Sequence, residues 1–333
     1  MRRAFFGICF LLGVLWSCES WGQSATASFP TLSLPVSAEI SGVSGVNVSD
    51  NKLSVAQFQN NPSLSSDTLD GSLSVSHLFY FAGTGFTSFA FQNNFRSVGL
   101  ISFGVSHLSL GSVDGYDLLG TPTGSFNSGE TVLAVGKSHQ VNKFRFGVNL
   151  KGVFSNLAGY RASAVSFDLG GLFIHPQKDF TIGLVIKNVG VVTREYSATS
   201  SSSIPFDVQA GITYKPEHMP LRFSATAYHL TEYNSPYEVD VTDPPGTLDK
   251  VLSHLTFGGE LLIHKNVSLL LGYNFLRHQE LKLEEAGGGA GFSIGALAKV
   301  NRFSLSFSRS GFVAGGAYQV SLNVDTKKII IRK

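Results

Sequence analysis

The chain has 333 residues, and charged residues make up only 14% of it, about half of the ~25% usual in soluble domains. With 36 Gly, 27 Phe and a mean hydropathy of +0.15, its make-up is not that of an ordinary soluble domain. A net charge of +2 offers no basic face for a nucleic acid. A helical membrane protein needs runs of ~20 apolar residues, and only the N-terminus approaches that.

The opening "MRRAFFGICFLLGVLWSCESWGQS" has a basic start at Arg2 and Arg3, an apolar run over 4–16 and a small-residue exit. It reads as a secretory signal peptide over 1–22, cleaved after Gly22, with Ser20 and Gly22 as the small residues. Residues 15–18 also resemble a lipoprotein site at Cys18, although Trp16 fits it poorly. Both cysteines, Cys9 and Cys18, fall in this segment, so ordinary cleavage leaves no thiol and no disulfide. Removing Arg2, Arg3 and Glu19 leaves 23 basic and 22 acidic residues, a net charge of +1.

Residues 23–69 precede the first regular pattern. The stretch "ISGVSGVNVSD" carries no charge before Asp50 and reads as a Gly-rich strand over 42–48. Gly42 and Gly45 allow its backbone to approach another element closely. Asp50 or Ser54 is placed to cap a helical turn through Gln57, and the corner at Asn60, Asn61 and Pro62 ends it.

From 70 to 326 the dominant signal is period two. In "KFRFGVNLKGVF", Phe144, Phe146, Val148 and Leu150 oppose Arg145, Gly147, Asn149 and Lys151. In "RFSLSFSRS", Phe303, Leu305 and Phe307 oppose Ser304, Ser306 and Ser308. About fourteen such segments occur, from 71–80 to 315–326, including 251–264 and 266–279, with no helix of useful length between them. The connections after even-numbered segments are short. Those after the third (110–128), seventh (195–203), ninth (231–250) and eleventh (277–288) are long and polar.

This asymmetry, with an even strand number, predicts an all-β fold: a transmembrane antiparallel β-barrel of about 14 strands, its tight turns periplasmic and its long loops outside. A soluble β-sandwich or lipocalin-like barrel also alternates. Its second face, however, would carry Lys and Glu for water, whereas here that face is Ser, Gly, Asn and Thr. Only a closed barrel or a helix satisfies every backbone group in lipid. A barrel of this size has room inside, and 23–69 is expected to enter it as a plug built on Gly42, Gly45, Asp50, Asn60, Asn61 and Pro62; the alternative is a periplasmic tail. The last residues, 327–333, form a short tail. Asp168, Lys151, Arg145 and Lys187 belong inside or near the rims, because a charge facing lipid at the midplane costs ~2–4 kcal/mol.

Few residues suggest chemistry. "GFSIG" over 291–295 matches a nucleophile pattern around Ser293, but that motif needs a strand-to-helix elbow and the alternation simply continues. "GGGAG" over 287–291 lacks the Lys-Ser/Thr and helix of a phosphate loop. No spacing among the nine His suggests a metal, and His77 and His107 read as lumen or interface residues rather than ligands. The chain is expected to be no enzyme and to need no cofactor. The 231–250 loop is either solvated cover or a docking loop, with Tyr233 and Tyr237 as anchors and Glu238, Asp240 and Asp243 selecting a basic partner.

The order and spacing of several stretches resemble the FadL-like outer-membrane barrels, and within them the PorV/PorQ group of the type IX secretion system. These stretches are "SGVSGVNVSDNKLSVAQFQNNPSLSS", "LSVSHLFYFAG", "FGVNLKGVFSNLAGYRASAVSFDLGGLF", "GLVIKNVG" and "PFDVQAGITYKPEHMPLRFS". The likeness is good over 38–231 and weaker beyond. It departs in having Asp50 alone where an acidic pair is usual, and in ending "KKIIIRK" rather than in an aromatic residue. The resemblance implies a non-enzymatic barrel in the outer membrane, among membrane lipids and lipopolysaccharide. It implies an anchor for a surface protein of the PorZ type, alongside PorU and PorV, in the complex that attaches secreted cargo. The FadL likeness also admits a transporter of hydrophobic compounds.

Overall fold

Fourteen strands appear where alternation predicts them. The computed structural model describes residues 28–116, 119–231, 246–280, 289–312 and 315–327. The first seven strands are β1 (Ser72–Phe79), β2 (Gly85–Phe95), β3 (Gly99–Tyr116), β4 (Pro122–Val141), β5 (Phe144–Leu157), β6 (Tyr160–Ile174) and β7 (Asp179–Arg194). The others are β8 (Asp207–Lys215), β9 (Leu221–Ala227), β10 (Leu255–His264), β11 (Val267–Asn274), β12 (Phe292–Val300), β13 (Phe303–Phe312) and β14 (Gly315–Asp325). Each pairs antiparallel with its sequence neighbour. β1 also pairs with β14, from Ser72 opposite Asp325 to Phe79 opposite Tyr318, so the sheet closes into a barrel with no free edge.

The two faces separate by side-chain chemistry. Along β5, Phe144, Phe146, Val148 and Leu150 are exposed while Arg145, Asn149 and Lys151 are buried. Along β13, Phe303, Leu305 and Phe307 point out, and Ser306, Ser308 and Ser310 point in. An apolar outside over a closed hydrogen-bonded wall suits lipid, where no water can satisfy a loose backbone group. Short turns join β2 to β3, β4 to β5 and β12 to β13 at one end, here the turn end. The opposite end carries the long connections and is the loop end.

Four local expectations need correction. The presumed loop 110–128 is mostly a β-hairpin, because β3 runs on to Tyr116 and β4 starts at Pro122, across an irregularity between Ser109 and Ser112. Its glycines weaken the pattern without preventing pairing. The expected strand over 251–264 begins only at Leu255. It is preceded by helix α1 (Thr247–Ser253), whose Leu248 and Val251 keep a three-residue spacing rather than alternating. The strand expected to reach 279 stops at Asn274, whose Oδ1 accepts a bond from Arg277 N (2.9 Å) and starts helix α2 (Phe275–Glu280).

The fourth correction concerns 42–48, which is not a strand. A helical turn, α0 (Ala38–Gly42), ends there, and Ser44 and Gly45 follow with φ of 87° and 90°. The physical reason is topological: a closed barrel offers no free edge, so a strand inside it has no ladder to join. Residues 29–66 are instead a chain of short turns, nearly all buried. They touch the inward faces of β11 to β14 through α0, of β1 and β2 through the 3-10 turn Val55–Gln59, and of β4 to β6 through the 3-10 turn Pro62–Leu64. The segment therefore lies inside the barrel.

Candidate functional site

The lumen and the segment within it form the candidate site, and it is built in layers. At the loop end the layer is apolar. Phe29 and Leu32 pack with Val132, Val153, Ala162 and Ala164 of the wall. Val36, Ile40, Val55 and Phe58 pack with Leu78, Phe86, Ala90 and Leu108. Glu130 interrupts it, accepting a bond from Thr31 N (3.0 Å). Glu39 lies deeper and accepts one from Asn323 Nδ2 (2.7 Å).

Midway down, the wall becomes small and polar, and the segment is tied to it all round. Ser321 Oγ accepts from Ala38 N (2.7 Å), and Ser41 and Ser310 share a hydroxyl contact at 3.1 Å. On the far side Asn149 Nδ2 donates to Phe58 O (2.7 Å), and Ser106 donates to Gln59 Oε1 (2.9 Å). The wall must lack side chains where backbone meets backbone. A Cβ on Gly147 would stand 2.6 Å from Ser63 N, and one on Gly272 would stand 2.7 Å from the Val43 carbonyl carbon.

At the turn end the layer is charged. Arg222 of β9 is bonded to Glu260 of β10 and lies 3.8 Å from both Asp50 and Asp179. Lys52 reaches Asp179 at 2.6 Å. Three carboxylates thus share two cations, and one carboxylate, Asp50, belongs to the lumen segment. A second buried pair, Lys151 and Asp168 at 2.7 Å, sits within the wall. There β7 bulges, placing Lys187 and Asn188 opposite Asp168, with Asn188 at φ 59°. Asn188 N donates to Asp168 Oδ1 (2.9 Å) and Lys151 donates to Asn188 Oδ1 (3.1 Å), so the pair is held by further bonds on both sides.

The lumen-segment residues singled out in the sequence take distinct places. Gly42 ends α0 against Leu270, whose Cδ1 is 3.0 Å from the position of a Cβ there. Gly45 faces Arg277 of α2, not the strand wall, and its positive φ is what requires glycine. Asp50 does not cap a helix: its Oδ1 accepts from Lys52 N at 3.0 Å. Ser54 is the cap, accepting from Ala56 N at 3.2 Å. Asn60 closes the 3-10 turn through its N–H to Gln57 O (2.9 Å). Asn61 is fully buried. Its Nδ2 donates to Val48 O (2.8 Å) and its Oδ1 accepts from Ser63 N (3.0 Å), so it staples the two limbs of the segment ahead of Pro62. Tyr233, Tyr237, Glu238, Asp240 and Asp243 lie outside the described residues, as do Cys9 and Cys18.

Sequence reading missed Arg222, Glu260 and Asp179. The parity of "LRFSATA" and "LTFGGELLIH" puts Arg222 and Glu260 on the inward face, which was the available signal. Ser293 sits at the second residue of β12, buried, with its hydroxyl 3.2 Å from Ser310 Oγ. The strand runs on past it, so it stands on no elbow. His77 and His107 are on the outer face, bonded through Nδ1 to Thr87 Oγ1 (2.8 Å) and Thr131 Oγ1 (2.9 Å).

Comparison with known proteins bears on the fold. No family model matches the chain, and no curated protein matches it in sequence. Among solved structures it is similar to the TodX monoaromatic hydrocarbon channel, as a deltaS2 mutant, at 14% identity and a TM-score of 0.51, covering 86% of this chain and 97% of that one. The likeness is one of fold, a closed antiparallel β-barrel. The deltaS2S3 mutant of TodX (12% identity, TM-score 0.48, 86% and 96% covered) also matches. So does a Pseudomonas aeruginosa FadL homologue (10% identity, TM-score 0.45, 87% and 98% covered).

Proposed function

We propose that this chain is a FadL-like outer-membrane barrel that admits a small hydrophobic compound at its loop end, with residues 28–66 as the internal gate. The observation that carries this reading is the apolar loop-end layer, where the wall residues Leu78, Phe86, Leu108, Val132 and Val153 cluster with apolar side chains of the chain's own segment. An apolar guest can take the place of the Phe29, Leu32 or Val36 side chain there, as apolar pockets do for such ligands. The fold it shares with a monoaromatic hydrocarbon channel supports the same reading. The test is uptake of a radiolabelled monoaromatic hydrocarbon and of a long-chain fatty acid by cells with and without the gene. Deletion lowers uptake of at least one; equal uptake of both rejects transport.

A second reading is favoured by a different observation, the PorV/PorQ-like stretches together with a lumen segment bonded to the wall on every side. On this reading the barrel stays shut and serves type IX secretion as a membrane anchor for a PorZ-type surface protein. On that reading the 231–250 loop, with Tyr233 and Tyr237, is the docking element, since barrels of this class keep tight turns periplasmic and long loops outside. Deletion of the gene leaves type IX cargo unprocessed or shed from the surface. Normal cargo display in the deletion strain rejects the anchor and leaves transport standing.

A further inference from the structure

The outer wall carries a polar and cationic patch towards the loop end. Ladder register lines up one residue from each of β1 to β7 in a row that climbs obliquely round the wall, because the strands are tilted. Val75, Phe89, Val105, Leu133, Gly152, Val165 and Val191 are successive partners on β1 to β7, and every side chain in the row is apolar. Two residues nearer the loop end, roughly 7 Å along each strand, the row reads His77, Thr87, His107, Thr131, Phe154 and Ser163, and across a register shift Ser163 meets Arg194, three residues past Val191. The change is complete within one step, apart from Phe154.

Above this boundary lies a groove of about 730 Å³ whose lining includes His107, Thr131, Asn156, Arg161, Ser163 and Arg194. No lining residue is acidic. Arg161 stands two positions beyond Ser163 on β6, and Arg194 faces Ser163 across the ladder. They are therefore diagonal neighbours, with Cβ atoms somewhat under about 7–8 Å apart in a regular ladder. Both are exposed, and neither forms an ion pair among the described residues. Glu195, next to Arg194, is already engaged: its carboxylate accepts bonds from Ser202 N (3.1 Å) and Ser202 Oγ (2.6 Å). Thr193 and Ser163 share a hydroxyl contact at 2.9 Å beside the two guanidiniums.

We propose that this groove seats the phosphate of an outer-leaflet lipid head group, with Arg161 and Arg194 gripping it and the acyl chains lying along the apolar row below. Two planar guanidiniums on neighbouring strands, with no carboxylate in the groove lining, match a phosphate ester by charge and by the fork of their donors. The apolar row directly beneath selects a lipid rather than a soluble anion. The site is independent of what the lumen passes, and holds for a transporter and an anchor alike, so its test and the uptake test fail separately.

The test is native mass spectrometry of the full chain purified in detergent, titrated with diphosphoryl lipid A or with the same lipid after dephosphorylation. Wild-type protein retains the phosphorylated lipid and loses roughly tenfold or more in retention when both phosphates are removed. Arg161→Ala with Arg194→Ala shows a similar loss on the phosphorylated lipid while the barrel still migrates as heat-modifiable. Arg161→Lys with Arg194→Lys falls between, because the charge stays and the fork is lost. Equal retention of both lipids by wild type overturns the proposal without any variant, as does unchanged retention by the double alanine variant. Full displacement of the lipid by millimolar inorganic phosphate also overturns it, since the groove would then be a plain anion site.

Discussion

Two glycines on nearly opposite walls make the strongest test of the lumen segment. Gly147 on β5 and Gly272 on β11 are six strands apart in a ring of fourteen. A methyl group on Gly147 would stand 2.6 Å from Ser63 N, and one on Gly272 2.7 Å from the Val43 carbonyl carbon. Ordinary contact begins near 3.4 Å, and the Pro62 carbonyl carbon and Ser44 N lie closer still, so each alanine asks the segment to retreat by roughly 1 Å. Either retreat alone is absorbed at about 1–3 kcal/mol, the usual cost of overpacking. The two retreats point toward each other. In Gly147→Ala with Gly272→Ala the segment has nowhere to go, and the summed cost, roughly 2–6 kcal/mol, exceeds what its hydrogen bonds at about 1 kcal/mol each can hold locally. The expected result is a barrel that still closes with a segment that leaves its seat. The assay combines heat-modifiable mobility, single-channel conductance and labelling of Ser37→Cys by a membrane-impermeant maleimide, Ser37 being fully buried with no bond to its hydroxyl. The double variant should label and conduct well above either single variant. A folded double variant that is as closed and as unreactive as wild type would show that the segment does not rest against these walls.

Three further outcomes follow from the same layers. Arg222→Ala leaves Asp50, Asp179 and Glu260 with Lys52 alone; it should lower the urea midpoint of the heat-modifiable form by an amount equivalent to about 3 kcal/mol, while Arg222→Ala combined with Glu260→Ala recovers part of that loss. Removing residues 28–66 should leave a barrel that closes but conducts far more than the intact chain, and equal conductance would contradict an internal gate. Replacing 232–245 with a short Gly-Ser turn should leave mobility unchanged, since strand-end loops add little to closure; under the anchor reading it lowers capture of the surface partner, measured by pull-down from outer membranes.

The wall was legible because lipid on one side and a packed lumen on the other impose opposite chemistry at every second residue. That makes parity visible in any stretch of eight, as at 303–310. Strand ends were less legible. Gly111, Gly115, Gly120 and Gly124, with Pro122, read as loop at 110–128, yet backbone pairing continues there because it needs no apolar side chain beyond the lipid. Helices at Thr247–Ser253 and Phe275–Glu280 sit where alternation lapses for only one turn, too short a run for the helical period to declare itself.

The lumen segment was half legible, and the missing half has a physical cause. Ser54 as a cap and Pro62 as a break are local signals carried by side chains near in sequence. The ionic partner of Asp50, Arg222, is 172 residues away, and nothing local distinguishes Asp50 from a solvated acid. The same holds outside: Arg161 and Arg194 are unremarkable until ladder register sets them on a diagonal, above a row of valines drawn from separate strands. In a barrel, then, each residue's own neighbours in sequence decide whether it faces lipid or lumen. What it meets there is decided by closure, and closure is a property of all fourteen strands together. Sites that span the ring therefore depend on register, and a one-residue slip between β6 and β7 would dismantle the arginine pair while leaving every strand in place.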